Sequence, residues 1–127
     1  MVIGENQRFL AAIITLKVDI DPAKGTPSRK LMQEVKTFFK QLLNLTINTT
    51  EEAISSDAVT KYIQTCIDQT NEKAVSRAAN IRKWVIVPDD FSIAGGELTP
   101  TLKLKRKFTE VKFKNLVDEM YAAEAKL

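Results

Sequence analysis

Apolar residues change their spacing several times along the chain, and each change predicts a new element. Phe9 to Ile20 is rich in Ile, Leu, Val and Thr, which predicts a strand buried on both faces near its middle. Ile3-Gly4-Glu5-Asn6 before it reads as a turn, so the two segments can form a hairpin. Asp21-Pro22 through Gly25-Thr26-Pro27 is turn chemistry that closes the strand. Ser28 is then placed to cap a helix running to about Leu43, with Leu31, Val35, Phe38, Phe39 and Leu42 on one buried face. Leu45 to Ser55 reads as a polar, Thr-rich connection. Asp57 fits the N-cap of a second helix, whose inward stripe is Val59, Ile63, Ile67, Thr70, Ala74, Ala78 and Ile81.

Beyond that helix the pattern shortens. Trp84-Val85-Ile86-Val87 predicts a strand ended by Pro88. Asp89 to Leu98 reads as a loop with Gly95-Gly96 at its tip. Leu102-Lys103-Leu104-Lys105 alternates strictly, which on a strand turns both leucines inward and both lysines outward. Phe108 to Ala125 reads as an amphipathic helix burying Phe113, Leu116, Val117 and Met120, with Phe108 also on its inner face. The fold class expected is α+β: a small mixed sheet of about three strands packed with three main helices, in one domain spanning 1–127.

Composition narrows the chemistry. The chain has 127 residues and 44% hydrophobic content, ordinary for one globular domain with a real core. No apolar run approaches the roughly 20 residues needed to span a bilayer. The N-terminus lacks a signal peptide's basic start and small-residue cleavage site, and a cytoplasmic setting is expected. The single Cys66 permits no internal disulfide and is expected to be a packed thiol beside the second helix's stripe. Asn44-Leu45-Thr46 and Asn48-Thr49-Thr50 match a glycosylation pattern, read here as chance in a polar loop. There is no histidine, which excludes a His-dependent triad or a Cys-His pair. Structural zinc is equally implausible, and no metal-ligating residue is assigned.

A net charge of +3 argues for no particular partner, but its distribution does. Lys103, Lys105, Arg106, Lys107, Lys112 and Lys114 crowd one stretch that contains a single opposing residue, Glu110. Such a patch attracts phosphates of any origin. Gly95-Gly96 permits a mobile tip, Pro100 stiffens the approach, and the lysines stand at a strand edge. A loop delivering an ammonium suits neutralisation of phosphate or carboxylate charge. The same lysines would also protect an exposed edge strand from pairing. Pattern alone favours the second reading.

Trp84-Val85-Ile86-Val87-Pro88, followed by Asp90-Phe91-Ser92 and Gly96-Glu97-Leu98-Thr99-Pro100-Thr101-Leu102-Lys103-Leu104-Lys105-Arg106, resembles the C-terminal signature of adenylate-forming acyl-CoA synthetases. Val2 to Leu10 is similar to the opening strand of the same domain. Asp19-Ile20-Asp21-Pro22, Ile67-Asp68-Gln69-Thr70-Asn71 and Ala79-Asn80-Ile81-Arg82-Lys83-Trp84 resemble the bubblegum branch of long-chain enzymes, which has a longer insertion here. The resemblance runs from Val2 to about Tyr121. It implies a C-terminal lid domain of a long-chain fatty acid–CoA ligase, which makes acyl-CoA, AMP and pyrophosphate from fatty acid, ATP and coenzyme A.

In that family the small domain swings against the large one between adenylation and thioester formation. Its motif lysine serves adenylation, and the register puts it at Lys103. The wider superfamily usually has Gly before this lysine, where this chain has Leu102. Lys105, one strand repeat away, with Arg106 and Lys107, would then face phosphates of ATP or coenzyme A. The phosphate loop, adenine site, ribose-binding aspartate and acyl tunnel belong to a large N-terminal adenylation domain absent from this chain, the expected partner. The hinge is expected just before Val2.

By this reading the fragment is inactive alone and binds no cofactor stably, with ATP, coenzyme A and Mg2+ engaged only in the full enzyme. The parent could associate peripherally with a cytosolic membrane face. Nucleic acid is not expected. The alternatives are a phosphate- or RNA-binding module using the 103–114 patch, and a stand-alone interaction domain without catalysis. The patch lacks interleaved aromatics, which weakens the RNA reading.

Overall fold

A computed structural model describes residues 1–4, 9–74 and 79–125. The elements in order are β1 (Val2–Ile3), β2 (Leu10–Ile14), β3 (Val18–Ile20), β4 (Pro27–Leu31), α1 (Gln33–Leu43), α2 (Thr50–Ser55), α3 (Asp57–Glu72), β5 (Ile81–Ile86), α4 (Arg106–Lys112) and α5 (Lys114–Ala125). The class is α+β, with a mixed three-stranded sheet in the order β1-β2-β5 and a separate β3-β4 pair.

β2 is central because its sequence has no polar residue to leave in water. It pairs antiparallel with β1 through Val2↔Ala12 and Ile3↔Ala11, the expected N-terminal hairpin, whose connecting residues 5–8 lie outside the described residues. It pairs parallel with β5, placing Ile13 beside Val85 and Ile14 beside Ile86. Alternation then separates two cores. Ile13 and Val85 join Ile3, Val87 and Val117, covered by Phe113, Leu116, Met120 and Tyr121 of the C-terminal segment. Ile14, Trp84 and Ile86 face Val18, Leu31, Phe39, Ile47, Ala53 and Val59 of the long crossover. The sheet is thus sandwiched between the crossover and the C-terminal helix.

Several expected elements are redrawn. The long strand over Phe9 to Ile20 breaks after Ile14, and its second half pairs with β4 instead of joining the sheet. The Asp21 turn joins them as expected: the Asp21 carboxylate accepts from Ala23 N at 2.9 Å, and Gly25 N donates to Asp21 O at 2.7 Å. Ser28 does not cap a helix; it lies in β4 and its hydroxyl donates to Asp19 O. The helix starts after Met32, and its buried side is Val35, Phe39 and Leu43. Phe38 and Leu42, expected inside, are therefore half-exposed.

The polar connection contains α2, with Ile47, Thr50 and Ala53 buried around it. Its start is a T-x-x-E cap that composition hid: Thr49 Oγ1 accepts from Glu52 N at 3.1 Å, and the Glu52 carboxylate accepts from Asn48 N. Ser56, one residue before Asp57, caps α3 by accepting from Val59 N. The α3 stripe holds through Val59, Ile63 and Ile67, but Thr70 is exposed and donates to Cys66 O. Ala74 lies beyond the helix end, Ala78 outside the described residues, and Ile81 opens β5. Cys66 is partly buried, as a free thiol. Asn71, in the last turn of α3, bonds Ile81 through both its amide atoms, at 2.8 and 2.9 Å.

Candidate active site

Residues 89–105 leave the sheet after Val87 and are tied down in stages. Arg29 of β4 clamps the Asp89 carboxylate at 3.0 and 3.3 Å and reaches Glu51 at 3.2 Å. Those bonds, to Asp89 first and then to Glu51, hold the guanidinium protonated well above the ordinary arginine range. Phe91 packs on Phe113, ring centres 6.0 Å apart. A tight turn follows, in which Gly95 N donates to Ser92 Oγ at 2.8 Å and Gly96 N to Ile93 O at 3.1 Å. Both glycines let neighbouring side chains approach closely, and Gly96 also takes a positive φ that other residues rarely adopt. A Cβ on Gly95 would lie 2.6 Å from a Glu97 carboxylate oxygen, and one on Gly96 (φ +91°) would lie 2.7 Å from the Phe108 ring.

The chain then doubles back as a hairpin. Lys105 N donates to Glu97 O at 2.7 Å, Thr99 N to Lys103 O at 2.8 Å and Leu102 N to Thr99 O at 2.8 Å. Thr99 Oγ1 accepts from Lys103 N at 3.1 Å and lies 3.0 Å from Thr101 Oγ1. The expected strand Leu102–Lys105 is thereby corrected to a single bridge, Leu98↔Leu104. Leu102 breaks the alternation: its φ is +66°, the left-handed region, and its side chain is 67% exposed. Leu104 is also exposed, so neither leucine turns inward. The mixed sheet takes β1 as its third strand instead.

Lys103 stands beside the hairpin tip, fully outside the core. Among the described residues its ammonium has no hydrogen-bond or ion-pair partner, and neither do those of Lys105 and Lys107. The other half of the basic stretch is paired. Arg106 approaches Glu110 at 3.5 Å and donates to Val2 O, Lys112 contacts Glu97 at 2.8 Å, and Lys114 contacts Asp118 at 2.6 Å. Of the six cations, three are therefore ammonium groups unpaired among the described residues: Lys103 and Lys105 on the hairpin and Lys107 at the start of α4. Arg106, expected to face phosphates, ties the arm to β1.

Two features escaped the sequence reading. Glu97, with a side chain only 4% exposed, accepts from Lys112 Nζ at 2.8 Å and from Ser92 N at 3.3 Å. Its partner lies 15 residues away, beyond any local pattern, although a lone Glu between two glycines and a Leu was a visible oddity. The C-terminal helix also breaks at Phe113, where φ is −103° and ψ is 19°. α4 can then lie along the hairpin, with Thr109 buried and its Oγ1 donating to Lys105 O at 2.8 Å, while α5 packs on the sheet. Phe108, expected on the inner face, is half-exposed because its ring covers Gly96 instead of the core.

Residues 39–125 match the family described as AMP-binding enzyme C-terminal domain. The chain belongs to that family. Its curated relatives are bubblegum long-chain fatty acid–CoA ligases. The domain is 41% identical over 96% of its length to long-chain-fatty-acid–CoA ligase ACSBG2 of Gallus gallus, of which it covers 16%. To ACSBG2 of Mus musculus it is 42% identical over 95% of its length and covers 18% of that protein. To ACSBG1 of Mus musculus it is 37% identical over 95%, covering 17%. The domain thus spans about a sixth of the length of these relatives. No solved structure matches it significantly. Among the described residues no helix is long and apolar enough to cross a membrane. Nor, among them, do His, Cys, Asp and Glu residues form a group that could hold a metal ion.

Proposed function

We propose that this domain is the C-terminal lid of a long-chain fatty acid–CoA ligase and supplies Lys103 to the adenylation step. The observation that carries the reading is the state of Lys103: an ammonium without a partner among the described residues, on an exposed hairpin whose backbone is held on both sides. Carboxylate and triphosphate repel each other, and their approach is opposed by that repulsion. An ammonium delivered between them offsets it as charge builds on the α-phosphate, and it need not lose its proton. The aliphatic stem of Lys103 can extend away from a fixed backbone, so reach and rigidity are combined.

Lys105 and Lys107 flank it with accessible charge for phosphates of ATP or coenzyme A. Arg106 is assigned a different part, tying the arm to β1 through Val2 O. The ATP site, the acyl tunnel and the magnesium that accompanies ATP are assigned to an N-terminal adenylation domain, in keeping with the small share of the relatives that this chain covers.

The reading of the patch as an RNA- or phosphate-binding module is weaker on this geometry, because half of its cations are already neutralised. Phe108 leaves it one exposed aromatic. The test is to supply fatty acid, ATP and coenzyme A to the 127-residue chain, alone and with the adenylation portion of a relative. Thioester is expected only in the second case. Robust turnover by the chain alone would overturn the reading. Salt-sensitive RNA binding at micromolar strength or tighter would favour the alternative.

A further inference from the structure

Glu97 is the buried ionisable residue among those described, and it sits at the base of the hairpin that carries Lys103. A carboxylate withdrawn from water is costly unless fully partnered, and an apolar residue would hold a loop to a helix equally well. What an apolar residue cannot do is fix direction. Here the carboxylate joins two separate parts: Ser92 N, where the turn begins, and Lys112 Nζ, in the last turn of α4. Lys112 Nζ also donates to Gly95 O at 3.2 Å, and Gly95 lacks a side chain where the carboxylate passes. The backbone of Glu97 is thereby set from its own side chain.

That setting is passed to Lys103 in two steps. Glu97 O accepts from Lys105 N at 2.7 Å, while Lys105 O accepts from Thr109 N at 3.0 Å and from Thr109 Oγ1 at 2.8 Å. Lys105 is thus clamped from both sides, and Lys103 lies two residues further out, bonded to Thr99 through both its N and its O. We infer that the Glu97–Lys112 pair is a positioning device for Lys103, holding the hairpin at a fixed angle to α4. The inference rests on the proposed role of Lys103 in adenylation. Displacement of a reacting group by about 1 Å can cost roughly 100-fold in rate, so the geometry of the arm matters more than its stability.

The test uses the full-length ligase carrying this domain, with Glu97→Gln, Lys112→Met and Lys112→Arg beside Lys103→Ala. Adenylation is followed by ATP–pyrophosphate exchange, and the second step by thioester formation from synthetic acyl-adenylate. Glu97→Gln and Lys112→Met are expected to lower kcat for adenylation about 10- to 100-fold. KM for ATP and the second step should change by less than about threefold, and Lys112→Arg should recover most of the loss. Equal losses in both half-reactions, or losses that follow the unfolded fraction in a thermal scan, would overturn the inference.

If Lys103→Ala leaves adenylation intact, it is the role of Lys103 that fails. The pair is then judged in the 127-residue chain by amide exchange. Exchange at Lys103 and Lys105 about tenfold faster in Glu97→Gln, with β2 and β5 unchanged, supports positioning. Unchanged exchange at the hairpin, or uniform acceleration, contradicts it.

Discussion

The β2–β5 pair and the Lys103 hairpin are both short two-stranded arrangements, held by opposite means. In the first, Ala11, Ala12 and Ile13 are buried, Ile14 and Ile86 face one core, and Ile13 and Val85 face the other. Apolar area removed from water supplies the stability, and the register follows from which faces must be covered. In the second, Leu102 and Leu104 are exposed and the arm buries almost nothing apolar. Backbone bonds, Thr99, and the Glu97–Lys112 contact set its shape. A region that packs its side chains cannot offer them to a substrate, and a region that offers them must be shaped by polar bonds. The lysine proposed for adenylation is on the second kind.

The comparison can be broken most severely from the packed side. Ile13→Ala removes a nearly fully buried side chain between β1, β5 and α5, and should cost about 2–5 kcal/mol in chemical denaturation. Glu97→Gln comes next. Removing one partner of a buried pair costs about 3–5 kcal/mol, but the Lys112 side chain is 41% exposed, so roughly 2 kcal/mol is expected. A loss as large as that of Ile13→Ala would mean the hairpin is part of the core. Thr99→Val deletes the acceptor for Lys103 N and should cost about 1 kcal/mol, seen also as faster exchange of that amide.

Leu102→Gly sharpens the contrast from the other direction. A leucine at φ +66° stores about 1–2 kcal/mol of backbone strain, which glycine removes while adding freedom to the unfolded chain. The net expectation is a gain of up to about 1 kcal/mol, and a clear loss would show that the exposed leucine has a contact of its own.

The packed side was largely legible in the sequence. Leu10 to Ile14 and Trp84 to Ile86 contain no charged residue and form the sheet strands that the sequence predicts, and the four-residue spacing of Val59, Ile63 and Ile67 matches α3. What misled there was local: Ser28 and Asp57 resemble caps, but Ser28 lies in β4 and the cap of α3 is the preceding Ser56. The hairpin was less legible. Its lysines stood out as a local run of charge and only a family resemblance singled out Lys103, while strict alternation at Leu102-Lys103-Leu104-Lys105 predicted a strand that a single left-handed residue prevents. Glu97 was hidden because its partner is distant in sequence, and periodicity carries no information about long-range charge pairs. The Gly that the wider family has at the position of Leu102 is consistent with the left-handed backbone found there.

The central claim is that Lys103 acts on the carboxylate and α-phosphate and on nothing later. Lys103→Ala removes an exposed side chain without partners among the described residues, so stability should stay within about 0.5 kcal/mol of the parent. In the full-length ligase, acyl-adenylate formation should fall by about 100-fold or more, while thioester formation from pre-made acyl-adenylate should change by less than about threefold. Equal losses in the two half-reactions, or adenylation at the parent rate, would contradict the account.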